Sequence, residues 1–333
     1  MVNNKSSNKI LITGAGGMLG QSVYRHFSKN NQVWATDIDL NEWWLEYLDV
    51  KNFASYENWV RKTKPDYIFH LAAETDLEKC ETNQSEALGN NFLGVKNGAL
   101  IAKKYGIKFI YTSTAGVFGG GQASFTEQDR PCPLNFYAKT KYWGELAVQS
   151  TLRDYLIIRP GWMMGGGQAK DKKFISKIIK KISLGETELK IVDDRQGTPT
   201  YTEDLAKNLD LLLNKNQRGL WHMVNQGSCS RFEVAQAMVE ELGYAEQIKV
   251  TKVKSDYYQK EYFAARPDSE ALVNRRLIDN NLLLMNHWRV AVKSYLKNDF
   301  TSYYAKSAPT LYRLVNKMSL NKKTSFKKNV FTT

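Results

Sequence analysis

Tyr137 and Lys141 stand four residues apart, which on a helix puts a phenol and an ammonium one turn apart on one face. A phenol with a pKa of about 10 is a poor acid–base group at neutral pH. A neighbouring cation favours its ionised form and fits it to hand a proton to a carbonyl oxygen. Such spacing recurs by chance in many helices. Here it gains weight from Ser113-Thr114, which end a predicted core strand and can bring a hydroxyl to the same cleft. A second group of residues makes room for an electron carrier. Gly14, Gly17 and Gly20 fall between an apolar run, Lys9 to Thr13, and a helix with Leu19, Val23 and Phe27 at a spacing of four. The first glycine permits a tight turn, the second lets backbone approach a pyrophosphate, and the third lets the helix lie close on the sheet. The helix N-terminus then offers free N–H groups to phosphate. Asp37 ends the next strand, where a carboxylate accepts hydrogen bonds from an adenosine ribose and repels a 2′-phosphate. No Arg or Lys lies between Asp37 and Val50, so NAD(H) is favoured, with NADP(H) left open. The competing reading is a plain glycine turn with a capping aspartate.

These residues need a frame. Further strands read at Gln32–Thr36, Asp66–Leu71, Lys108–Ser113, Tyr155–Arg159 and Leu189–Val192, with helical patterns over Glu86–Tyr105 and Tyr137–Ser150 between them. Strands alternating with helices imply a doubly wound α/β fold, a parallel Rossmann sheet that binds ligands at the carboxyl ends of its strands. After Arg159 the rhythm loosens. Lys172 to Ile182 is an amphipathic helix whose lysines read as a solvated face. The expected organisation is a cofactor domain over residues 8–160 plus about 196–225, a smaller substrate lobe over 161–195 and 226–296, and a basic tail over 297–333.

Of the 333 residues, 42% are apolar and 24% charged, which excludes a disordered chain. The net charge of +13 would suggest a nucleic-acid partner, but its location argues otherwise. Residues 1–150 hold 16 Lys/Arg against 15 Asp/Glu, whereas 297–333 hold 8 against 1. The charge sits in the tail, so no nucleic-acid partner is expected. There Leu311, Leu314, Val315 and Met318 fall at helical spacing among lysines, a pattern suited to weak contact with an anionic membrane surface. A solvated extension explains it as well. Cys80, Cys132 and Cys229 are odd in number and widely spaced, which fits a reducing cytoplasm, and no metal-ligand set is legible. No apolar run reaches the length of a membrane span, and the polar N-terminus lacks a signal-peptide core.

In combination the motifs resemble an extended short-chain dehydrogenase/reductase. The matching pieces are Thr13-Gly14-Ala15-Gly16-Gly17-Met18-Leu19-Gly20, Leu48-Asp49-Val50, His70-Leu71-Ala72-Ala73, Asn91-Phe92-Leu93-Gly94, Ser113-Thr114, and Tyr137 with Lys141. Within that superfamily the chain is most similar to the dTDP-4-dehydrorhamnose reductases, through Ala72 to Lys79, Pro133 to Tyr137, Arg159-Pro160-Gly161-Trp162, Gln196 to Thr200, Arg266-Pro267 and His287-Trp288-Arg289. The resemblance spans roughly residues 8–296. It implies NAD(P)H-dependent reduction of the 4-keto group of a nucleotide-linked 6-deoxyhexose, with Thr114, Tyr137 and Lys141 catalytic. It implies a cofactor held by Gly14, Gly16, Gly17, Met18, Leu19, Asp37, Asp49, Val50, Leu71, Ala72, Ala73 and Asn91 together with Tyr137 and Lys141. Asp49 and Val50 would lie by the adenine. Thr75, Thr114 and Trp162 would meet the sugar, and the chain would form a homodimer. Trp162 could equally fill an interlobe core, and His70 reads as a packed residue. One departure stands out: these reductases usually carry a tyrosine two positions after the threonine, and this chain has Gly116. Dehydratases place an Asp-Glu pair where Ala115 and Gly116 stand, which disfavours elimination. A nucleotide-sugar epimerase, or a cofactor-binding regulatory subunit without catalysis, remains as the alternative.

Overall fold

The computed structural model describes residues 7–303. Seven strands form a sheet that is parallel throughout: β1 (Lys9–Thr13), β2 (Gln32–Asp37), β3 (Glu46–Tyr47), β4 (Tyr67–His70), β5 (Lys108–Thr112), β6 (Tyr155–Arg159) and β7 (Gly219–His222), in the spatial order β7-β6-β5-β4-β1-β2-β3. From β1 the chain runs outward to β2 and β3, then returns to β4 on the other side. This reversal opens a crevice beyond the carboxyl ends of β1 and β4, where such sheets take their ligands. The strands read as near-continuous apolar runs because both faces are covered. Helices α1 (Met18–Phe27) and α6 (Thr202–Asn214) bury Leu19, Val23, Phe27, Leu205, Leu209 and Leu212 on one face. The other takes α2 (Phe53–Thr63), α3 (Gly94–Tyr105) and α4 (Phe136–Thr151).

A second apolar core lies beside the sheet. It gathers α5 (Phe174–Ser183), α7 (Arg231–Glu241) and α8 (Trp288–Asp299) around Ile178, Ile179, Met238, Trp288 and Tyr295. The strand expected at Leu189–Val192 belongs here. It spans Glu188–Val192 and pairs with Lys249–Val253, outside the main sheet. Helix α8 runs past the expected boundary at 296 to Asp299, and Phe300 is buried behind it. The basic segment around Leu311 to Lys328 lies outside the described residues.

The expected helix over Glu86–Tyr105 is interrupted. A π-helical turn at Gly89–Leu93 separates Gln84–Leu88 from α3. The cause is Asn91, which this wider turn directs inward. Its Oδ1 accepts from the Glu74 amide at 2.8 Å, and its Nδ2 donates to the Glu74 carbonyl and the Thr140 hydroxyl.

Helix α4 is held to the sheet by a buried ion pair. The Arg159 guanidinium of β6 donates two parallel bonds to Glu145, at 2.8 and 2.6 Å, with side-chain exposures of 3% and 1%. The bidentate geometry satisfies both carboxylate oxygens. Removing one partner strands a charge in an apolar medium. Glu145→Ala is therefore expected to lower unfolding free energy by about 3–5 kcal/mol, measured as a fall in the urea midpoint at unchanged m-value.

Candidate active site

At the crevice mouth the β1–α1 turn is shaped by its glycines. Gly14 has φ +74° and packs so close that a Cβ would overlap the Ala72 backbone. A Cβ on Gly20 would run into the Ala15 carbonyl. Exposed Gly17 occupies the N-cap of α1, with no side chain bonded to the free amides of the first turn. The helix end is thus open to an anion. Asp37, at the end of β2, has a different first task from the ribose contact expected of it: its Oδ2 accepts from the Gly16 amide at 2.9 Å and its Oδ1 from the Asp39 amide at 3.0 Å. Lone pairs remain on both oxygens. Met18 is half-buried at the start of α1, while Leu19 packs into the sheet core. Leu71, Ala72 and Ala73 follow β4 as half-buried irregular chain, with the Leu71 amide bonded to the Thr13 carbonyl at 2.9 Å. Val50 is buried against Gly94, and the Asp49 carboxylate takes the Lys51 amide at 3.0 Å. Asn91 acts as a clamp between the Glu74 backbone and α4.

A cation does reach this edge, though not from the stretch after Asp37. Lys170 Nζ bonds to Asn41 Oδ1 and pairs with Glu42 at 3.1 Å. Nothing local in the sequence links residues 129 positions apart.

The proton-handling groups meet on the far side. Thr114 caps the short turn Ala115–Val117, its Oγ1 accepting from the Gly116 amide at 3.1 Å. The Tyr137 phenol is close enough to this hydroxyl for Thr114 to lower its pKa. Ser113 is buried, and it is Thr114 that faces the tyrosine. Tyr137 sits in the first turn of α4 because Asn135 caps that helix, accepting from the Ala138 amide at 2.8 Å while donating to the Ala265 carbonyl at 2.8 Å. Lys141 follows one turn later, 2% exposed, its Nζ 4.4 Å from the Tyr111 ring centre.

The electrostatics depart from the simple expectation that the lysine lowers the phenol. Burial pushes Tyr137 up to about 12, opposed by the Thr114 hydroxyl. Burial pushes Lys141 down to about 7, opposed by the charge of Glu145. Desolvation outweighs the opposing influence at each group, Thr114 on the phenol and Glu145 on the amine, so the phenol holds its proton at neutral pH. His70 is pushed down to about 3 by burial and lies against Thr13 and Tyr56, a neutral packed residue.

Across the crevice, Trp162 Nε1 donates to Glu270 Oε1, and the Arg231 guanidinium lies 3.7 Å from the indole ring centre. Gly197 leaves room for that ring, since a Cβ there would overlap it. The Thr75 carbonyl accepts from Lys173 Nζ at 3.1 Å, which ties the loop after β4 to the start of α5. Glu270 and Arg231 escape the sequence reading: neither falls at a telling spacing from the glycine turn or from Tyr137. Among the described residues no cluster of three or more His, Cys, Asp or Glu could hold a metal ion.

The arrangement combines an open helix N-terminus at a switch point with a protonated phenol, a hydroxyl and an amine on the opposite wall. It fits a dinucleotide beside a carbonyl compound. Residues 8–300 match the family described as the RmlD substrate binding domain. The spore coat polysaccharide biosynthesis protein SpsK of Bacillus subtilis is 31% identical over 296 residues, covering 87% of this chain and 97% of that protein. The dTDP-4-dehydrorhamnose reductase of Mycobacterium tuberculosis is 30% identical, covering 87% and 93%. The crystal structure of dTDP-4-dehydrorhamnose reductase from Bacillus anthracis, in complex with NADP, superimposes with a TM-score of 0.76 at 29% identity, covering 87% and 99%. With its sheet order, its glycine turn and a match running from β1 to the end of α8, the chain belongs to the RmlD substrate-binding-domain family, a branch of the extended short-chain dehydrogenase/reductases.

Proposed function

We propose that the protein is an NAD(P)H-dependent reductase of the 4-keto group of a nucleotide-linked 6-deoxyhexose. The observation that carries this reading is the approach of the Thr114 hydroxyl, at the carboxyl end of β5, to the Tyr137 phenol one helical turn from Lys141. A bound nicotinamide supplies the hydride. Tyr137 gives its proton to the carbonyl oxygen as C4 is reduced, and Thr114 orients that phenol and bonds to the same oxygen. Lys141 anchors the nicotinamide ribose; phosphate charge nearby favours its protonated form. Thr75 and Trp162 line the sugar end. The relatives' names support the substrate class, and the absence of acid–base side chains at Ala115 and Gly116 argues against elimination.

NADH is the proposed reductant, with Asp37 the residue that disfavours a 2′-phosphate; Lys170 is already engaged by Asn41 and Glu42. The proposed compartment is the cytoplasm, in keeping with three free thiols. Among the described residues no helix is long and apolar enough to cross a membrane. A homodimer belongs to the same reading, supported by exposed Leu100, Trp143 and Leu146 on α3 and α4.

Three outcomes test this. Tyr137→Phe should lower kcat by about 10²–10⁴-fold with cofactor binding retained, followed as NADH absorbance with a 4-keto-6-deoxy sugar nucleotide; undiminished turnover removes Tyr137 as the acid. An epimerase would convert its sugar without consuming NADH. Because reduction needs the protonated phenol, whose pKa burial raises, the part of the kcat–pH profile that reports Tyr137 should fall only on the alkaline side. Finally, kcat/KM should favour NADH over NADPH by about 10-fold, one like-charge repulsion, and Asp37→Asn should bring the ratio towards one. An unchanged ratio assigns cofactor choice elsewhere.

A further inference from the structure

Glu270 is a carboxylate at the sugar end that the reaction just described leaves without a task. It lies in the chain segment after Arg266-Pro267, whose backbone bonds to Gln196 and places it opposite Thr114. One oxygen, Oε1, is held by the Trp162 indole N–H. The other, Oε2, lies 3.8 Å from the point where a Cβ on Gly116 would stand, and Thr114 Oγ1 lies 3.5 Å from the same point. That point is otherwise approached only at ordinary contact distance, by Ala138 Cβ at 3.8 Å. Gly116 is not in the left-handed region, and a methyl would fit there, so the backbone does not demand glycine. What the glycine does is leave a notch between a hydroxyl and a carboxylate. Among the described residues, no donor bonds to Oε2.

We propose that Glu270 is a specificity-determining residue whose Oε2 accepts a hydrogen bond from the sugar hydroxyl next to the reacting carbonyl. This inference rests on the reductase reading. Of the two carbons flanking C4 in a 4-keto-6-deoxyhexose, C5 bears the methyl and the ring oxygen, and C3 bears a hydroxyl. With the C4 oxygen at Thr114 and Tyr137, that C3 hydroxyl is the polar group able to enter the notch over Gly116. The charged groups facing Glu270 are Arg231, which also covers Trp162, and Arg266; both favour the ionised carboxylate, while burial opposes them. Glu270 is half-buried, so a substrate that displaces water from Oε2 must supply a donor in its place, and one without the hydroxyl leaves that oxygen unpaired.

The test compares kcat/KM at saturating reductant for dTDP-4-dehydrorhamnose and its 3-deoxy counterpart, in the full-length protein, Glu270→Gln and Glu270→Ala. The native protein should favour the hydroxylated sugar by about 10- to 100-fold, and Glu270→Ala by less than about 3-fold. A purely structural role, holding Trp162 or neutralising Arg231, would depress both substrates alike and keep the ratio; that result overturns the proposal, as does a native ratio near one. Glu270→Gln, which keeps the Trp162 contact, decides the matter where the alanine variant does not fold. A reduced ratio supports the proposal and an unchanged one overturns it. Should the native protein reduce neither sugar, the reductase reading fails, and this inference with it.

Discussion

An amine and a phenol must be carried out of water on one helix, and much of the architecture follows from that demand. Lys141 is nearly inaccessible, and burial alone would discharge it. Helix α4 can bear this because it is fixed at three levels: Asn135 at its N-terminus, the Tyr111 hydroxyl on the Lys141 carbonyl at 3.0 Å, and the Glu145–Arg159 pair one turn below. Glu145 serves twice. It neutralises Arg159, and its field favours the ammonium of Lys141. Close approach is part of the same solution, since a Cβ on Gly144 would press on the Tyr111 hydroxyl at 2.5 Å. Desolvation thus raises the stakes of every polar contact on this helix, and the helix is accordingly the most heavily secured element of the crevice wall.

The two walls answer to different physics. The β1–α1 side is mostly backbone: free amides, a positive φ and two close approaches that exclude side chains. Such a surface recognises phosphate whatever its bearer. The opposite side is built from side chains drawn from distant stretches, with Trp162 after β6, Arg231 at the start of α7 and Glu270 after Arg266. Shape is generic on the first wall and particular on the second, which is where sugar discrimination has to reside.

That division also explains what could be read from the chain. Five strands of the sheet, the glycine turn and the Tyr137–Lys141 pair are local patterns that appear where periodicity and spacing put them, whereas β3 and β7 leave no such pattern and Leu189–Val192 forms its strand outside the main sheet. The interruption at Gly89–Leu93 was hidden because its cause, the inward Asn91 clamp on Glu74, is a tertiary contact; the local pattern reads as one continuous helix. Lys170 beside Asn41, and Glu270 beside Gly116, are meetings of residues more than a hundred positions apart. The rise of the Tyr137 pKa escapes spacing for a related reason: spacing places a lysine nearby, but not the desolvation that the fold imposes.

Net charge teaches the same lesson on a larger scale. A formal +13 would suggest a strongly cationic surface, yet the charged groups along the crevice are buried or half-buried and have opposed partners: Lys141 with Glu145, Arg159 with Glu145, and Arg231 with Glu270. Exposed lysines on α5 are screened within about 10 Å at ordinary ionic strength. Buried charges are not. The reacting carbonyl therefore experiences chiefly the groups that burial has isolated from solvent. For a reduction in which negative charge develops on one oxygen, the Thr114 hydroxyl, the Tyr137 proton and the Lys141 ammonium are the groups we propose to stabilise it, and on that proposal the bulk charge of the chain has little influence there.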